Sequence, residues 1–306
     1  MLKRKFGKTG WQVGTIGLGT WNIGNQWGEL DDATAEATIH KAIDCGMNLI
    51  DTAESYGEPH GLSELRLGKA LANRRDDVYI VTKVGSWGGR SGQTVPLTTP
   101  DMIRLCAHSC LGRMKTDRLD VVLCHQGGIK DPSVFIEGFK KLQDEGSIRE
   151  YGVSTNDVEV LKKFNADGKC AVAEVSYSLV SREPESDILP YCAENNIGVL
   201  IRGPLSRGLL AGKYDRSTVF TDSIRERWNE GGNGRDDFEQ RMAGVDKVRQ
   251  TLGPDENMLT AALRYVISHE SAPVAIPGAK SPEQAEMNAA AGEPMSAGEL
   301  EKWRDA

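Results

Sequence analysis

The chain contains three short apolar segments that each end in an ionisable side chain: MNLID (residues 47–51), VYIVTK (78–83) and LDVVLCH (119–125). Apolar runs of this kind, bounded by turn and helix signals, are typical of buried parallel strands. Because the carboxyl ends of parallel strands lie on one rim of an α/β fold, we expect Asp51, Lys83 and His125 to converge there. Tyr56, inside the segment DTAESYG (51–57), joins them. A carboxylate, an ammonium, an imidazole and a phenol in one cleft indicate proton transfer rather than packing.

Strand and helix signals alternate along the whole chain. Strands are expected near residues 15–19, 47–51, 78–83, 119–124, 149–153, 171–175, 197–201 and 273–276. Three of the intervening helices have a capping residue before a proline at the first helical position: Thr99-Pro100, Asp131-Pro132 and Ser281-Pro282. Eight strand–helix units without a break in composition predict an α/β fold, a single (β/α)8 TIM barrel, with residues 1–306 forming one domain.

Three segments lie outside this alternation. The turn signal GKTG at residues 7–10 predicts an N-terminal β-hairpin that covers the bottom of the barrel. Residues 212–238 are rich in glycine and charge, so we expect a long loop after strand 7, on the catalytic rim, that is functional or mobile. A short closing helix is expected from Ser296 to Arg304.

The composition excludes several classes of protein. With 39% hydrophobic and 26% charged residues, the chain is typical of a globular protein. No apolar stretch approaches the roughly 20 residues of a membrane span, and no apolar region of a signal peptide follows the basic N-terminus. The net charge is −7, without a basic cluster that could follow a nucleic-acid backbone. We therefore expect a cytoplasmic protein that binds a small-molecule substrate, with no nucleic-acid or membrane partner; the oligomeric state is left open.

The six cysteines form no Cys-x-x-Cys pair, which indicates reduced thiols acting as small core residues. Cys106, His108 and Cys110 are close in sequence, but on a helix the two cysteines would share a face that His108 does not. No metal site is expected, since no second ligand pair follows at a zinc-site spacing.

Eight fragments, in order along the chain, resemble the aldo-keto reductase superfamily. They are GLGTW (17–21), DTAESYG (51–57), Lys83, His125, GVSTN (152–156), YSL (177–179), GPLSRGLL (203–210) and IPG (276–278) with Gln284 and Asn288. The resemblance implies hydride transfer to a carbonyl, in which Tyr56 is the acid and His125 orients the substrate. Lys83 and Asp51 would tune Tyr56, because a nearby ammonium lowers the pKa of a phenol from its ordinary value of about 10. Taken singly, each residue also has a structural explanation. Asp51 could cap a turn, Lys83 could be a solvated charge, and Tyr56 and His125 could be packed side chains.

The segment IPGAK (276–280) leaves the last strand and meets a helix that starts at Ser281. A helix N-terminus suits a phosphate, and Lys280 adds a charge there, although a simple capped helix is the alternative. The resemblance places the adenosine end of NADP (NADPH) here, with Gln284 and Asn288 facing the adenine. Many NADP-preferring members have a basic pair where this chain has Lys280 alone, so NADP is expected and NAD stays open. The first strand is not followed by Gly-x-Gly-x-x-Gly, which argues against a Rossmann dehydrogenase.

The remaining cofactor contacts also follow from the resemblance. Ser154 and Asn156 resemble the contacts to the nicotinamide carboxamide, and Tyr177 resembles the aromatic residue that stacks on the nicotinamide ring. The segment from Gly203 to Gly208 resembles the one along the pyrophosphate. The full cofactor-binding set is Gly19, Thr20, Trp21, Asp51, Ser154, Asn156, Glu174, Tyr177, Arg202, Gly203, Pro204, Leu205, Arg207, Gly208, Gly278, Lys280, Gln284 and Asn288.

Two departures from the family pattern fall on neighbouring strands. Glu174 stands where the family usually has glutamine, and Arg202 where it has a small or aromatic residue. A buried carboxylate is costly unless paired, and neighbouring strand ends lie within reach of a salt bridge. We therefore expect Arg202 to neutralise Glu174, which leaves the carboxylate to accept a hydrogen bond from the carboxamide. Alternatively, Glu174 points elsewhere and Arg202 binds an anionic group of the substrate.

The residues expected to contact the substrate are Trp21, Trp27, Tyr56, Trp87 and His125. The family often has Trp-Pro after its histidine, whereas this chain has QGGI (126–129), which predicts an open, polar edge. We therefore expect an NAD(P)-dependent oxidoreductase acting on a small polar aldehyde, ketone or aldose. Two alternatives stay open: a cofactor-sensing binding or regulatory barrel without significant turnover, and a Schiff-base barrel lyase using Lys83.

Overall fold

The computed structural model describes residues 1–88 and 92–303. An antiparallel hairpin of β1 (Lys3–Lys5) and β2 (Gln12–Gly14) precedes eight parallel strands that pair in chain order. These strands are β3 (Leu18–Gly19), β4 (Leu49–Asp51), β5 (Tyr79–Val84), β6 (Leu119–Cys124), β7 (Ile148–Ser154), β8 (Val172–Ser176), β9 (Gly198–Arg202) and β10 (Val274–Ala275). All eight strands expected from the sequence are therefore present.

The first and last parallel strands meet and close the sheet into a barrel. Gly17 N donates to Ala275 O (2.8 Å) and Gly19 N donates to Pro277 O (3.1 Å). Glycine is needed at this seam, because a Cβ on Gly19 would lie 2.6 Å from the carbonyl oxygen of Ile276. The predicted (β/α)8 barrel is confirmed.

The helices are α1 (Asp32–Asp44), α2 (Leu62–Ala70), α3 (Pro100–Met114), α4 (Ser133–Asp144), α5 (Val158–Phe164), α6 (Ile188–Glu194), α7 (Arg235–Thr251), α8 (Met258–Ile267), α9 (Pro282–Ala290) and α10 (Ala297–Glu301). Thr99 and Ser281 cap their helices by accepting a hydrogen bond from the backbone N–H three residues on, as predicted. Helix α4 begins at Ser133, one residue later than predicted, and the Asp131 carboxylate accepts from its N–H (2.9 Å).

The hairpin covers the amino-terminal end of the barrel, as predicted. Phe6 is buried, and a Cβ on Gly198, the first residue of β9, would lie 2.9 Å from its ring. Lys8 N donates to Asn196 O (2.7 Å), which fixes the hairpin to the turn before β9. Phe6 packs on an inward-facing core that includes Val13, Leu49, Val81, Val121, Leu123, Val172, Leu200 and Val274.

The segment after β9 is held by aromatic packing. Trp228 is fully buried, and its ring lies 5.6 Å from those of Phe220 and Phe238, measured between centroids. Helix α7 begins at Arg235, so the loop is shorter than the predicted 212–238.

At the C-terminus, α10 begins with a capping box at Ser296 and ends at Glu301. The predicted helix extended to Arg304, which lies outside the described residues. Within the two described stretches, none of the helices combines the length and the apolar character needed to cross a membrane.

Candidate active site

The four residues expected to converge do meet at the carboxyl end of the barrel. Lys83, inside β5, donates from Nζ to Asp51 Oδ1 at the end of β4 (2.5 Å) and lies 3.2 Å from the hydroxyl of Tyr56. It also donates to the carbonyl of Thr52 (3.0 Å). The ring of His125, just after β6, meets the Tyr56 ring edge-on at a centroid distance of 6.0 Å. The cluster therefore combines an ammonium, a carboxylate, a phenol and an imidazole.

A second carboxylate, which the sequence paired differently, lies on the same ammonium. Glu174 Oε2 is 3.1 Å from Lys83 Nζ, and Ser154 Oγ donates to Glu174 Oε1 (3.1 Å). Arg202, whose side chain is 46% exposed, approaches Glu174 only to 3.8 Å and donates to Asn156 Oδ1 (3.3 Å). The expected Arg202–Glu174 pair is present at this longer distance, but the closer cation, Lys83, was not expected. Side chains that point inward from non-adjacent strands meet inside a barrel, and Lys83 of β5, three strands from β8, is the cation nearer to Glu174.

The environment of Lys83 keeps it charged. Burial alone would lower the pKa of its ammonium, but Asp51, Glu174 and Tyr56 together raise that pKa above its ordinary value. Burial raises the pKa of the Asp51 carboxyl, whereas Lys83 and Arg202 outweigh burial and lower that of Glu174. The two carboxylates share one ammonium, so they titrate as a unit.

The phenol of Tyr56 behaves differently from the sequence-based expectation. Lys83 does lower the pKa of Tyr56, but burial, with smaller contributions from Asp51 and Glu174, raises it to about 12. The expectation of a net lowering is therefore wrong, because burial of the phenol outweighs the attraction of the ammonium for the phenolate. At neutral pH the side chain is a protonated donor.

The residues expected at the adenosine end lie together at the start of α9. Asn288 Nδ2 donates to Gly278 O (3.3 Å), and Lys280 N donates to Gln284 Oε1 (2.9 Å). The ammonium of Lys280 donates to the carbonyl of Trp27 (2.8 Å), in the loop after β3. A Cβ on Gly278 would lie 1.7 Å from the Asn22 amide oxygen, so only glycine fits where the Asn22 side chain packs against this backbone.

These features coincide with similarity to known proteins. The model of the aldo/keto reductase family matches residues 15–306. The chain belongs to the aldo/keto reductase family. This confirms the resemblance inferred from the sequence, and the matched relatives are oxidoreductases.

Two relatives show the extent of the similarity. Aldo-keto reductase YhdN of Bacillus subtilis (strain 168) is 34% identical over 290 residues, which cover 91% of this chain and 85% of the relative. The NADH-specific methylglyoxal reductase of Escherichia coli (strain K12) is 30% identical over 314 residues, which cover 95% and 93%.

Two solved structures are similar over almost the whole chain. A glycerol dehydrogenase from Gluconobacter oxydans has a TM-score of 0.82 at 29% identity, covering 99% of this chain and 94% of that one. An aldo-keto reductase from Klebsiella pneumoniae in complex with NADPH has a TM-score of 0.73 at 29% identity, covering 100% and 95%.

In this aldo/keto reductase, the tryptophans expected at the substrate pocket divide into two groups. Trp21 stacks on Tyr56 (centroids 5.7 Å apart, interplanar angle 17°), and Trp27 meets Trp21 edge-on at 5.0 Å. Trp87 packs instead beside His60 (5.3 Å) and over the guanidinium of Arg113 in α3 (5.2 Å). Trp21 therefore contacts the phenol of Tyr56 directly, and Trp27 packs behind Trp21. Trp87 packs on other residues, His60 and Arg113.

The assignment of Tyr177 needs correction. The residue is 2% exposed, and its hydroxyl donates to Glu185 Oε1 (2.6 Å). Its ring packs beside Tyr265 (6.1 Å) and His269 (6.3 Å). Almost no surface of this ring is open, so the stacking role that the resemblance gave to Tyr177 does not fit the structure.

Two other expected cofactor residues, Asn156 and Thr20, hold strand ends next to the cluster. Asn156 bridges β7 and β8, because its amide exchanges two hydrogen bonds of 2.8 Å with the backbone of Ser176. Thr20 is fully buried and donates from its hydroxyl to the carbonyl of Asp51 (2.8 Å), so it holds the end of β4.

The segment Gly203–Gly208 has an unusual backbone. Ser206 (φ 47°) and Arg207 (φ 55°) are in the left-handed region, which non-glycine residues seldom adopt. Pro204 is buried, Leu205 is half-buried, and the guanidinium of Arg207 packs over Trp228 (5.5 Å). Strain of this kind often marks a functional segment.

Sequence reasoning missed two residues that support the site. Glu54 Oε1 accepts from the backbone N–H of Gly85 (2.7 Å) and its two successors, and thereby holds the loop after β5. Gln26 Oε1 accepts from Trp21 Nε1 (2.7 Å) and Gly57 N (3.0 Å), which fixes the tryptophan against the tyrosine loop. A buried acid within DTAESYG was a signal for Glu54; nothing in the sequence singled out Gln26.

Proposed function

We propose that this protein is an NAD(P)H-dependent reductase of small polar carbonyl compounds, with Tyr56 as the proton donor. The observation that carries the proposal is a buried, protonated phenol 3.2 Å from an ammonium. A phenol in this state can give a proton to a carbonyl oxygen and leave a phenolate beside Lys83.

The residues at the start of α9 fit a dinucleotide. The start of α9 carries the positive end of the helix dipole, and Lys280 and Gln284 lie beside it, which suits a phosphate group. When bound at the rim, the reduced nicotinamide would supply the hydride. The solved Klebsiella relative in complex with NADPH supports NADP, and the NADH-specific Escherichia coli relative keeps NAD open.

The chain's own residues divide the remaining work. As hydride reaches the carbonyl carbon, the O–H bond of Tyr56 breaks and its proton moves to the carbonyl oxygen. Lys83 stabilises the phenolate that remains, and Asp51 holds Lys83 in place (2.5 Å). His125, whose ring is next to Tyr56, is placed to hydrogen-bond the same oxygen.

A small polar substrate is supported by two observations. Gln126 and Gly127 follow the histidine where the family often has Trp-Pro, so a polar amide, which donates to the carbonyl of Gly85 (2.9 Å), replaces an aromatic wall on this side. Relatives named as a methylglyoxal reductase and a glycerol dehydrogenase act on small oxygenated compounds.

The Schiff-base alternative is disfavoured by the state of Lys83. A lysine must be a neutral amine to attack a carbonyl. Here Lys83 is fully buried, pairs with two carboxylates and has a raised pKa.

A turnover assay distinguishes an enzyme from the regulatory alternative. The protein is mixed with NADPH or NADH and with methylglyoxal, glyceraldehyde or an aldose, and oxidation of the cofactor is followed at the nicotinamide absorbance. Oxidation of the cofactor supports the proposal of an enzyme. The absence of turnover with any carbonyl, despite cofactor binding, would favour the regulatory barrel.

Replacement of Lys280 by alanine is expected to weaken NADPH binding far more than NADH binding. A charge-assisted contact to the 2′-phosphate is worth roughly 1.5–3 kcal/mol, which corresponds to about 10- to 150-fold in Kd. Fluorescence titration of both cofactors measures the difference. Lys41→Ala, on the exposed Lys41–Glu286 pair, is the control. Equal losses for the two cofactors would rule out a contact between Lys280 and the 2′-phosphate.

A further inference from the structure

The ammonium of Lys83 lies between two carboxylates rather than beside one. Asp51 Oδ1 is 2.5 Å and Glu174 Oε2 is 3.1 Å from Nζ. Asp51 is at the end of β4 and Glu174 is in β8, on the far side of β6 and β7 from Lys83. The side chains of all three are at most 4% exposed, so solvent screens these charges weakly.

Two carboxyl groups compete for one ammonium beside Tyr56. Burial raises the pKa of Asp51, whereas the pKa of Glu174 is lowered by Lys83 and Arg202 in spite of burial, so Glu174 is the carboxyl group that holds its negative charge against Lys83. Arg202, from β9, is the next cation, but its nearest approach to Glu174 is 3.8 Å and its side chain is 46% exposed. His125, after β6, is half-buried beside the phenol. Tyr56 therefore faces an ammonium that Glu174 shares with Asp51.

We propose that Glu174 is a positioning residue that divides the charge of Lys83 and thereby biases Tyr56 toward the phenol, so that the alkaline limits of carbonyl reduction and of alcohol oxidation lie at higher pH than they would without this second carboxylate. The proposal rests on the proposed function of Tyr56. Reduction needs the phenol, whereas oxidation needs the phenolate as a base. A second carboxylate on Lys83 disfavours the phenolate by repulsion and by sharing the cation.

The sign of the effect follows from the charge that is removed. Glutamine in place of Glu174 keeps the size of the side chain and the hydrogen bond from Ser154, but removes one negative charge. The phenolate of Tyr56 is then stabilised, so its pKa falls by about one to two units for a charge a few ångströms away. At pH 9 this change raises the phenolate fraction by about 10- to 100-fold.

The test compares pH profiles of kcat/KM for reduction and oxidation in the wild type and in Glu174→Gln. Reduction by the wild type should decline through Tyr56 only at strongly alkaline pH, because burial raises the pKa of Tyr56 to about 12. Reduction by the variant should decline about one to two pH units earlier than in the wild type, and oxidation should rise earlier by the same interval. Glu64→Gln is the matched control, because Glu64 is also a fully buried carboxylate but pairs with Arg113 rather than Lys83. Limbs at the same pH in the wild type and Glu174→Gln would overturn the proposal, even if KM for the cofactor changes.

A spectroscopic titration tests the same inference without turnover. Tyrosinate absorbance is recorded against pH for Glu174→Gln and for Glu174→Gln/Tyr56→Phe, with folding monitored by circular dichroism. The difference should show one tyrosine ionising about one to two units below the corresponding wild-type difference. An unshifted difference titration overturns the proposal. A shifted titration in a protein that reduces no carbonyl upholds the charge arrangement while the proposed function fails. Glu174→Met, which also removes the charge, replaces the amide variant if that variant does not fold.

Discussion

Replacement of Tyr56 by phenylalanine is expected to lower kcat for carbonyl reduction by about 10²–10⁴-fold, the usual contribution of a general acid. The variant retains the ring that stacks on Trp21 at 5.7 Å, so the wall of the pocket should persist. It loses the hydroxyl 3.2 Å from Lys83, and no proton can then follow hydride transfer from this position. Steady-state kinetics with methylglyoxal and either reduced cofactor, together with cofactor titration, measures both effects.

Tyr79→Phe is the matched control for this experiment. Tyr79 begins β5 at the opposite end of the barrel and stacks on Trp11 (4.5 Å), so loss of its hydroxyl should leave kcat nearly unchanged. If Tyr56→Phe retains more than about a tenth of the wild-type kcat, Tyr56 is not the proton donor.

Replacement of Lys83 by methionine is expected to abolish most activity and to lower the free energy of unfolding by about 3–5 kcal/mol at pH 8. The substitution fills the space but leaves Asp51 and Glu174 buried without their shared cation. Their pKa values in the folded variant should rise above those of the unfolded chain. The variant is then least impaired at acid pH, where both carboxyls are protonated, and loses stability as pH rises through the raised values.

Urea unfolding at pH 5.5 and at pH 8 measures this pH dependence. Lys69→Met is the control, because Lys69 forms an exposed pair with Glu36 (3.3 Å), and such pairs contribute about 0–1 kcal/mol. A loss for Lys83→Met that is small and equal at the two pH values would show that the carboxylates do not depend on Lys83.

Much of the barrel could be predicted because several of its strands are short apolar runs that end in polar residues. That pattern placed Asp51, Lys83 and His125 on one rim, and the structure brings these groups together. The sequence could not show how the segment after β9 folds. Trp228 packs between Phe220 and Phe238, and the spacing of these three residues matches neither a helix nor a strand repeat.

Each incorrect expectation at the site concerns the surroundings of a side chain, which depend on residues distant in sequence. The partner of Glu174 was sought on the neighbouring strand, although barrel closure places Lys83, three strands away, at 3.1 Å. For Tyr56 the ammonium was considered without the burial and the carboxylates that oppose it. For Tyr177 the motif gave the position but not the direction of the ring, which points toward Tyr265. A motif predicts where a residue lies in the fold. The ion pairs of that residue and the orientation of its side chain depend on the three-dimensional structure.

The most direct test of the account is the fate of hydrogen at C4 of the nicotinamide. The protein is incubated with methylglyoxal and NADPH or NADH carrying deuterium at both C4 positions, and the alcohol product is analysed by mass spectrometry. We expect one deuterium on the former carbonyl carbon for the wild type, formed about 10²–10⁴-fold more slowly by Tyr56→Phe. Consumption of the carbonyl compound without deuterium in the product, or binding of both ligands without any alcohol formed, would contradict it.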